Sequence, residues 1–181
     1  MTTYISILRG INVSGHRIIK MDDLKKMCAD DLHFSNIKTY IQSGNIVFQS
    51  PLNKTDTISE KIKTEIQKKF GFDVPVLTLT SDELEKIIDR NPFLKDKSKD
   101  PSFFHITFLS EKPTAENVEL IGQTEFQPDE YNIIDKAVYL YCPNGYSNSK
   151  LTNSFLESKL KVTATTRNWK TTNELLKITT K

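Results

Sequence analysis

Arginine, carboxamide and glycine residues crowd three short segments of this chain: Leu8-Arg9-Gly10-Ile11-Asn12-Val13, Tyr40-Ile41-Gln42-Ser43-Gly44-Asn45 and Thr165-Thr166-Arg167-Asn168-Trp169. An arginine fork binds carboxylate or phosphate through paired hydrogen bonds. Asn and Gln read edges that mix donors with acceptors. Glycine lets the backbone approach a ligand closely or take positive φ. The candidate ligand-binding residues are therefore Arg9, Gly10, Asn12, Gly15, Gln42, Ser43 and Asn45, with Arg167, Asn168 and Trp169 from the third segment. The same residue types also build turns, so Asn12 and Asn45 suit turn stabilisation and Gly10 and Gly44 suit tight geometry equally well. These groups bind and polarise, but they are poor proton-transfer groups near neutral pH.

The elements that position them follow from periodicity. Residues 3–9 alternate as a strand, and residues 21–30 carry Leu24, Met27 and Cys28 at helical spacing. Ile37 to Gln42 and Asn45 to Ser50 read as strands joined at Ser43-Gly44. Residues 57–70 place Ile58, Ile62, Ile66 and Phe70 on one stripe, with Thr57 and Glu60 as a capping box and Gly71 as the stop. Val74 to Leu79 is a fourth strand. Thr80-Ser81 caps a helix over 82–90, stopped by Pro92, and 92–102 reads as a polar linker.

The order then returns. Phe103 to Leu109 is a strand, Pro113 opens a helix ended by Gly122, and Asn132 to Ile134 pairs with Ala137 to Tyr141 around Asp135-Lys136. Leu151, Phe155 and Leu160 mark a helix, Lys161 to Ala164 a short last strand, and Arg167 to Ile178 a closing helix with Thr166 as N-cap. The fold class is α+β: two ferredoxin-like (βαββαβ) halves in tandem with an extra C-terminal helix. Residues 1–80 form the first half, 81–102 the connecting helix and linker, and 103–181 the second half. The duplication is one of element order, with no residue-by-residue repeat.

In a ferredoxin-like sheet the ends of strands 1 and 2 and the start of strand 3 share one edge. That topology sets Arg9-Gly10-Ile11-Asn12 beside Gln42-Ser43-Gly44-Asn45. The third segment reads as a helix start, where free N–H groups and the dipole favour an anion. The opposing reading makes Trp169, Thr172 and Leu176 a packing stripe. Gly10 to Gly15 has phosphate-loop spacing, but His16 and Arg17 replace the required Lys and Ser or Thr, so nucleotide hydrolysis is not expected. Simple anion binding by this loop, with Arg17 and Lys20 nearby, stays open. Gly145-Tyr146-Ser147-Asn148-Ser149 lacks the last glycine of a nucleophile elbow. His16, His33 and His105 are scattered, so no metal or other cofactor is expected. The third strand lacks the aromatic pattern of RNA-recognition modules. Tyr4 and Tyr40 could share a sheet face, which is expected to pack against the second half.

The chain has 25 basic and 23 acidic residues, a net charge of +2, so no strong basic field is implied. Apolar runs are strand-sized, far short of a membrane span, and the N-terminus enters a strand without a leader pattern. Cys28 and Cys142 stand far apart, which argues against a disulfide framework. A cytoplasmic protein is expected.

Residues 8–13 and 40–45, the run Arg167-Asn168-Trp169 and Ser149-Lys150-Leu151 occur in an order that resembles a bacterial family, domain of unknown function 1697. Lys170 stands where that family usually has Asn after the Trp, and Ser14-Gly15 where it often has two glycines. The resemblance implies no activity. Two function classes follow from the residues: a small binding module for an anionic ligand (nucleotide, phosphate metabolite or nucleic acid), or an interaction protein whose signature residues hold two halves or two chains together. No catalytic constellation is evident, and an enzyme is the less favoured reading.

Overall fold

The computed structural model describes Met1–Lys181. The elements run β1 (Thr2–Leu8), α1 (Met21–Asp30), β2 (Ser35–Tyr40), β3 (Asn45–Ser50), α2 (Thr55–Phe70), β4 (Val76–Thr80), α3 (Ser81–Asp89), β5 (Phe104–Leu109), α4 (Ala115–Ile121), β6 (Glu130–Ile134), β7 (Ala137–Tyr141), α5 (Asn153–Leu160), β8 (Ala164–Asn168) and α6 (Trp169–Thr179). They build an α+β fold with two four-stranded antiparallel sheets, ordered β2-β3-β1-β4 and β6-β7-β5-β8. The chain divides into two compact units, Met1–Lys86 with Glu174–Lys181, and Ile87–Asn173. No helix is long and apolar enough to cross a membrane.

In the first unit Tyr4, Leu8, Ile46 and Phe48 present one sheet face to Leu24, Met27 and Cys28 of α1 and to the Ile58, Ile62 and Ile66 stripe of α2. Tyr4 belongs to this helix-covered face and donates its hydroxyl to Leu52 O at 2.5 Å. The register pairs Tyr4 with Phe48 but Tyr40 with Asn45, three residues from Phe48 along β3. Side chains alternate along a strand, so the two tyrosines lie on opposite faces rather than sharing one. Burial raises the Cys28 thiol to about 12 and the Cys142 thiol to about 11, so both are inert core thiols.

Two helix starts differ from expectation, at α2 and α4, and Thr80 caps α3 as expected. Helix α2 starts at Thr55, because Ile58 N–H already reaches Lys54 O at 3.1 Å, so Thr57 and Glu60 lie inside it and form no capping box. The reciprocal box forms instead at α3, where Thr80 Oγ1 accepts from Glu83 N–H at 3.1 Å and Glu83 Oε2 accepts from Thr80 N–H at 2.8 Å. Helix α4 opens at Ala115 and not at Pro113, behind the cap Thr114, whose Oγ1 accepts from Asn117 N–H. The stretch 92–102 folds into two 3₁₀ turns. Phe93 is buried there against Phe104 and Tyr141, while Lys99 lies over the Tyr141 ring at 4.4 Å and pairs with Glu130 at 2.7 Å.

The last strand is Ala164–Asn168, not Lys161 to Ala164. Lys161 takes φ 59° and donates its N–H to Glu157 O, which ends α5 and postpones the strand. The β-branched pair Thr165-Thr166 then lies opposite Phe108 and Thr107.

The two units also repeat at single residues, which element order alone did not reveal. In the first, Ser6 and Thr78 face each other across β1 and β4 with their hydroxyls 2.7 Å apart, and Ser59 of α2 donates to Thr78. In the second, Thr107 and Thr166 face each other across β5 and β8 at the same 2.7 Å, and Asn153 of α5 accepts from Thr166. Each sheet therefore uses a hydroxyl bridge, tied to its second helix, where a polar pair would otherwise be buried unsatisfied.

Candidate functional site

The first two segments meet at one edge of the first sheet. Leu8 N–H donates to Gly44 O at 2.8 Å and Arg9 N–H to Pro75 O at 3.1 Å, which ties β1, the β2–β3 turn and the start of β4 together. Asn12 is the fastener. Its Nδ2 donates to Ile19 O at 2.9 Å and to Gln42 O at 2.8 Å, and its Oδ1 accepts from Ile19 N–H at 2.9 Å. Its own backbone N–H reaches Arg17 O at 3.1 Å. Asn12 therefore clasps both ends of the 10–20 loop and holds it against the turn after β2.

Asn45 is fully buried and donates to Tyr40 O at 2.9 Å and Ser43 Oγ at 3.1 Å, which closes the 41–44 turn from inside. Gly44 takes φ 84°, and a Cβ there would lie 2.7 Å from Ile11 Cδ1 and 2.9 Å from Leu8 Cβ. Gly10, at φ 74°, is covered by the Arg17 guanidinium, 3.4 Å from where its Cβ would be. Gly15 has open space around it. Arg9 and Ser43 are half-buried, and Gln42 is exposed. Of the predicted residues at this edge, Asn12, Gly44 and Asn45 spend their chemistry on the frame.

The third segment lies in the other unit, and it starts the helix later than expected. Arg167 is in β8 opposite Ile106, half-buried, with its NH1 donating to Thr166 O at 3.0 Å. Burial pushes its guanidinium down to about 10. Asn168, not Thr166, caps α6: its Oδ1 accepts from Thr171 N–H at 2.7 Å, a donor that an anion at this helix start would need. Trp169 is the first residue of α6 and stands edge-on to Phe104, with centroids 6.1 Å apart. Thr166 is instead a hub. Its hydroxyl donates to Asn153 Oδ1, so the contacts from Thr107 and from Tyr146 OH, at 3.1 Å, must be donations to it.

Sequence reasoning passed over three side chains. Val13, Ile18 and Ile41 are 58%, 53% and 47% exposed. Ile41 also sits at φ 50°, a region that a β-branched residue enters only under strain. Asn12, Ser14 and Arg17 share that left-handed region. From Arg9 to Lys20 the chain holds Arg9, His16, Arg17 and Lys20 and no carboxylate; the next acids, Asp22 and Asp23, fall in the first turn of α1. The signal was available: a loop of aliphatic and basic residues that neither alternates nor follows helical spacing is not paying for itself in core.

The fold moves the ionisation of His105. It stacks on Tyr146 at 4.8 Å, and burial lowers its pKa from 6.5. The folded chain favours neutral imidazole, so this contribution is complete above about pH 6.5 and is lost as the pH falls below it. Urea unfolding along a pH series should show stability declining on acidification, with a shallower decline in His105→Gln. Equal slopes for the two proteins would remove His105 as the cause.

The sequence pattern of a family described as protein of unknown function (DUF1697) matches residues 1–139. The chain belongs to the DUF1697 family. The matched part of this DUF1697 chain contains the whole of the Asn12 edge, and the Arg167 segment lies beyond it. The fold is similar to that of the conserved bacterial protein SP0830 from Streptococcus pneumoniae, with a TM-score of 0.77, 21% identity and 98% of each chain covered. No curated protein matches the chain.

Proposed function

We propose that this DUF1697 chain is a binding module that recognises an anionic partner through the Arg9–Lys20 loop and the 41–44 turn. In this reading each half is a ferredoxin-like unit, supported by the shared orders β2-β3-β1-β4 and β6-β7-β5-β8. The observation that carries it is the fixed loop: Asn12 locks its conformation with three side-chain bonds, while Arg17, Lys20 and the aliphatic side chains face solvent. Left-handed strain of this kind clusters at functional sites, and a loop already held in one conformation loses less entropy on binding. The frame residues Asn12, Gly44 and Asn45 also support the interaction-protein reading, since they hold this edge together rather than contact a ligand. The cations then supply the recognition.

Thermal shift against nucleotides, phosphorylated metabolites and short oligonucleotides tests it. Ligand at about 100 times its Kd stabilises by about 2.7 kcal/mol. Arg17→Ala should lose that shift with the unliganded Tm unchanged. A ligand shift that survives Arg17→Ala would count against the loop.

A further inference from the structure

We infer that the anionic partner of this loop is a second copy of the chain, which receives the loop in an open groove between α2 and the segment that follows α1. This rests on the binding reading above and names its occupant. The loop supplies a knob. Val13 and His16 bridge across a tight turn, with His16 N–H on Val13 O at 2.9 Å, and the space around Gly15 at its tip is open. Val13 flanks the tip, and Ile18 and Ile41 stand exposed on the segments that Asn12 fastens together. Arg17 and Lys20 give this aliphatic surface a positive rim.

The groove supplies the complement. It is an open groove of about 610 Å³ beside Leu32, lined by Asp31, Asp56, Glu60 and Glu65, with Lys61 as the only cation in its lining. Lys69 bridges Asp31 at 2.6 Å and Lys68 bridges Glu65 at 3.3 Å, which leaves Asp56 and Glu60 as the carboxylates without an ion pair. A pocket of about 300–1,000 Å³ holds a compact group such as a turn tip and not a whole helix. A loop carrying Arg17 and Lys20 against a groove carrying Asp56 and Glu60 is the charge complementarity that steers a specific contact, and Leu32 gives the aliphatic knob an apolar partner. The knob and the groove use different residues, so the contact is heterologous and copies would join head to tail.

Sedimentation velocity on the full chain tests this. The average mass of wild type should rise with protein concentration at low salt and fall back at high salt. Arg17→Glu spoils the knob and leaves the groove; the double variant Asp56→Asn/Glu60→Gln neutralises the groove, leaves the knob, and adds no cation with which a reversed knob could pair. Each variant alone should stay monomeric, and an equimolar mixture should form a dimer that grows no further, because one intact knob meets one intact groove. Recovery on mixing also shows that both variants are folded. A wild type that stays monomeric throughout, variants that assemble as wild type does, or a mixture that stays monomeric would each overturn the inference. A monomeric wild type that still gives an Arg17-dependent thermal shift with a small anion would defeat the self-association and leave the binding reading standing.

Discussion

Alanine at position 44 should destabilise the first unit by about 3 kcal/mol, as the sum of a left-handed backbone penalty of about 1–2 kcal/mol and an overpacking cost of about 1–3 kcal/mol. The backbone cost comes from φ 84°. The packing cost comes from a Cβ placed 2.7 Å from Ile11 Cδ1 and 2.9 Å from Leu8 Cβ, both side chains fully or almost fully buried. Neither neighbour can withdraw. Ile11 is 1% exposed, and Leu8 is held by its N–H on Gly44 O. Gly15 provides the control, because it shares the left-handed φ, at 75°, and has nothing within 4 Å. Gly15→Ala should therefore show the backbone cost alone, about 1–2 kcal/mol. Urea unfolding of the two variants checks the difference, and equal losses would mean that the contacts around Gly44 are softer than their distances imply.

Asn12→Ala should remove about 3 kcal/mol, since each of its three side-chain hydrogen bonds contributes about 0.5–1.5 kcal/mol. The middle of that range applies, because the two bonds to buried Ile19 are worth more than the exposed one to Gln42 O. Ile19 is 1% exposed, so its N–H, which now donates to Asn12 Oδ1, would be left buried without a partner. Asn12→Asp keeps the acceptor for Ile19 N–H but turns a carboxylate oxygen on Ile19 O and Gln42 O where the amide donated, so near neutral pH it should be no more stable than alanine. Amide hydrogen exchange gives the local readout: protection of Ile19 N–H should collapse in Asn12→Ala. An alanine variant with wild-type protection at Ile19 would show that the loop holds its shape without the clasp, and the case for a fixed binding loop would go with it.

These two residues show where reading the sequence stopped. The strand and helix periodicities located α1 at Met21–Asp30, the Ile58, Ile62 and Ile66 stripe of α2 and its end at Gly71, because burial on one face repeats every two or about 3.6 residues and leaves its mark in residue order. Strand directions alone then carried the Arg9 and Gln42 segments to one edge. What those segments do there was not legible. A carboxamide serves a ligand or a backbone equally well, and the choice for Asn12 depends on Gln42 O, thirty residues away, coming within 2.8 Å of its amide.

Ile41 illustrates the same limit from the other side. Alternation along residues 37–42 reads it as one more inward strand residue, but β2 ends at Tyr40 and Ile41 turns outward at φ 50°. Asn45 draws the turn closed by bonding to Tyr40 O, and the side chain that follows is carried into solvent. The end of the chain slipped for a similar reason: Lys161 adopts φ 59° to finish α5, which moves the last strand to Ala164–Asn168 and makes Asn168 the cap of α6. Residue order thus determined the elements, their sequence and the edge where the first two segments meet. Tertiary structure alone decided which polar groups are consumed by the frame and which face outward, because a hydrogen bond is settled by distances between loops that the chain brings together only on folding.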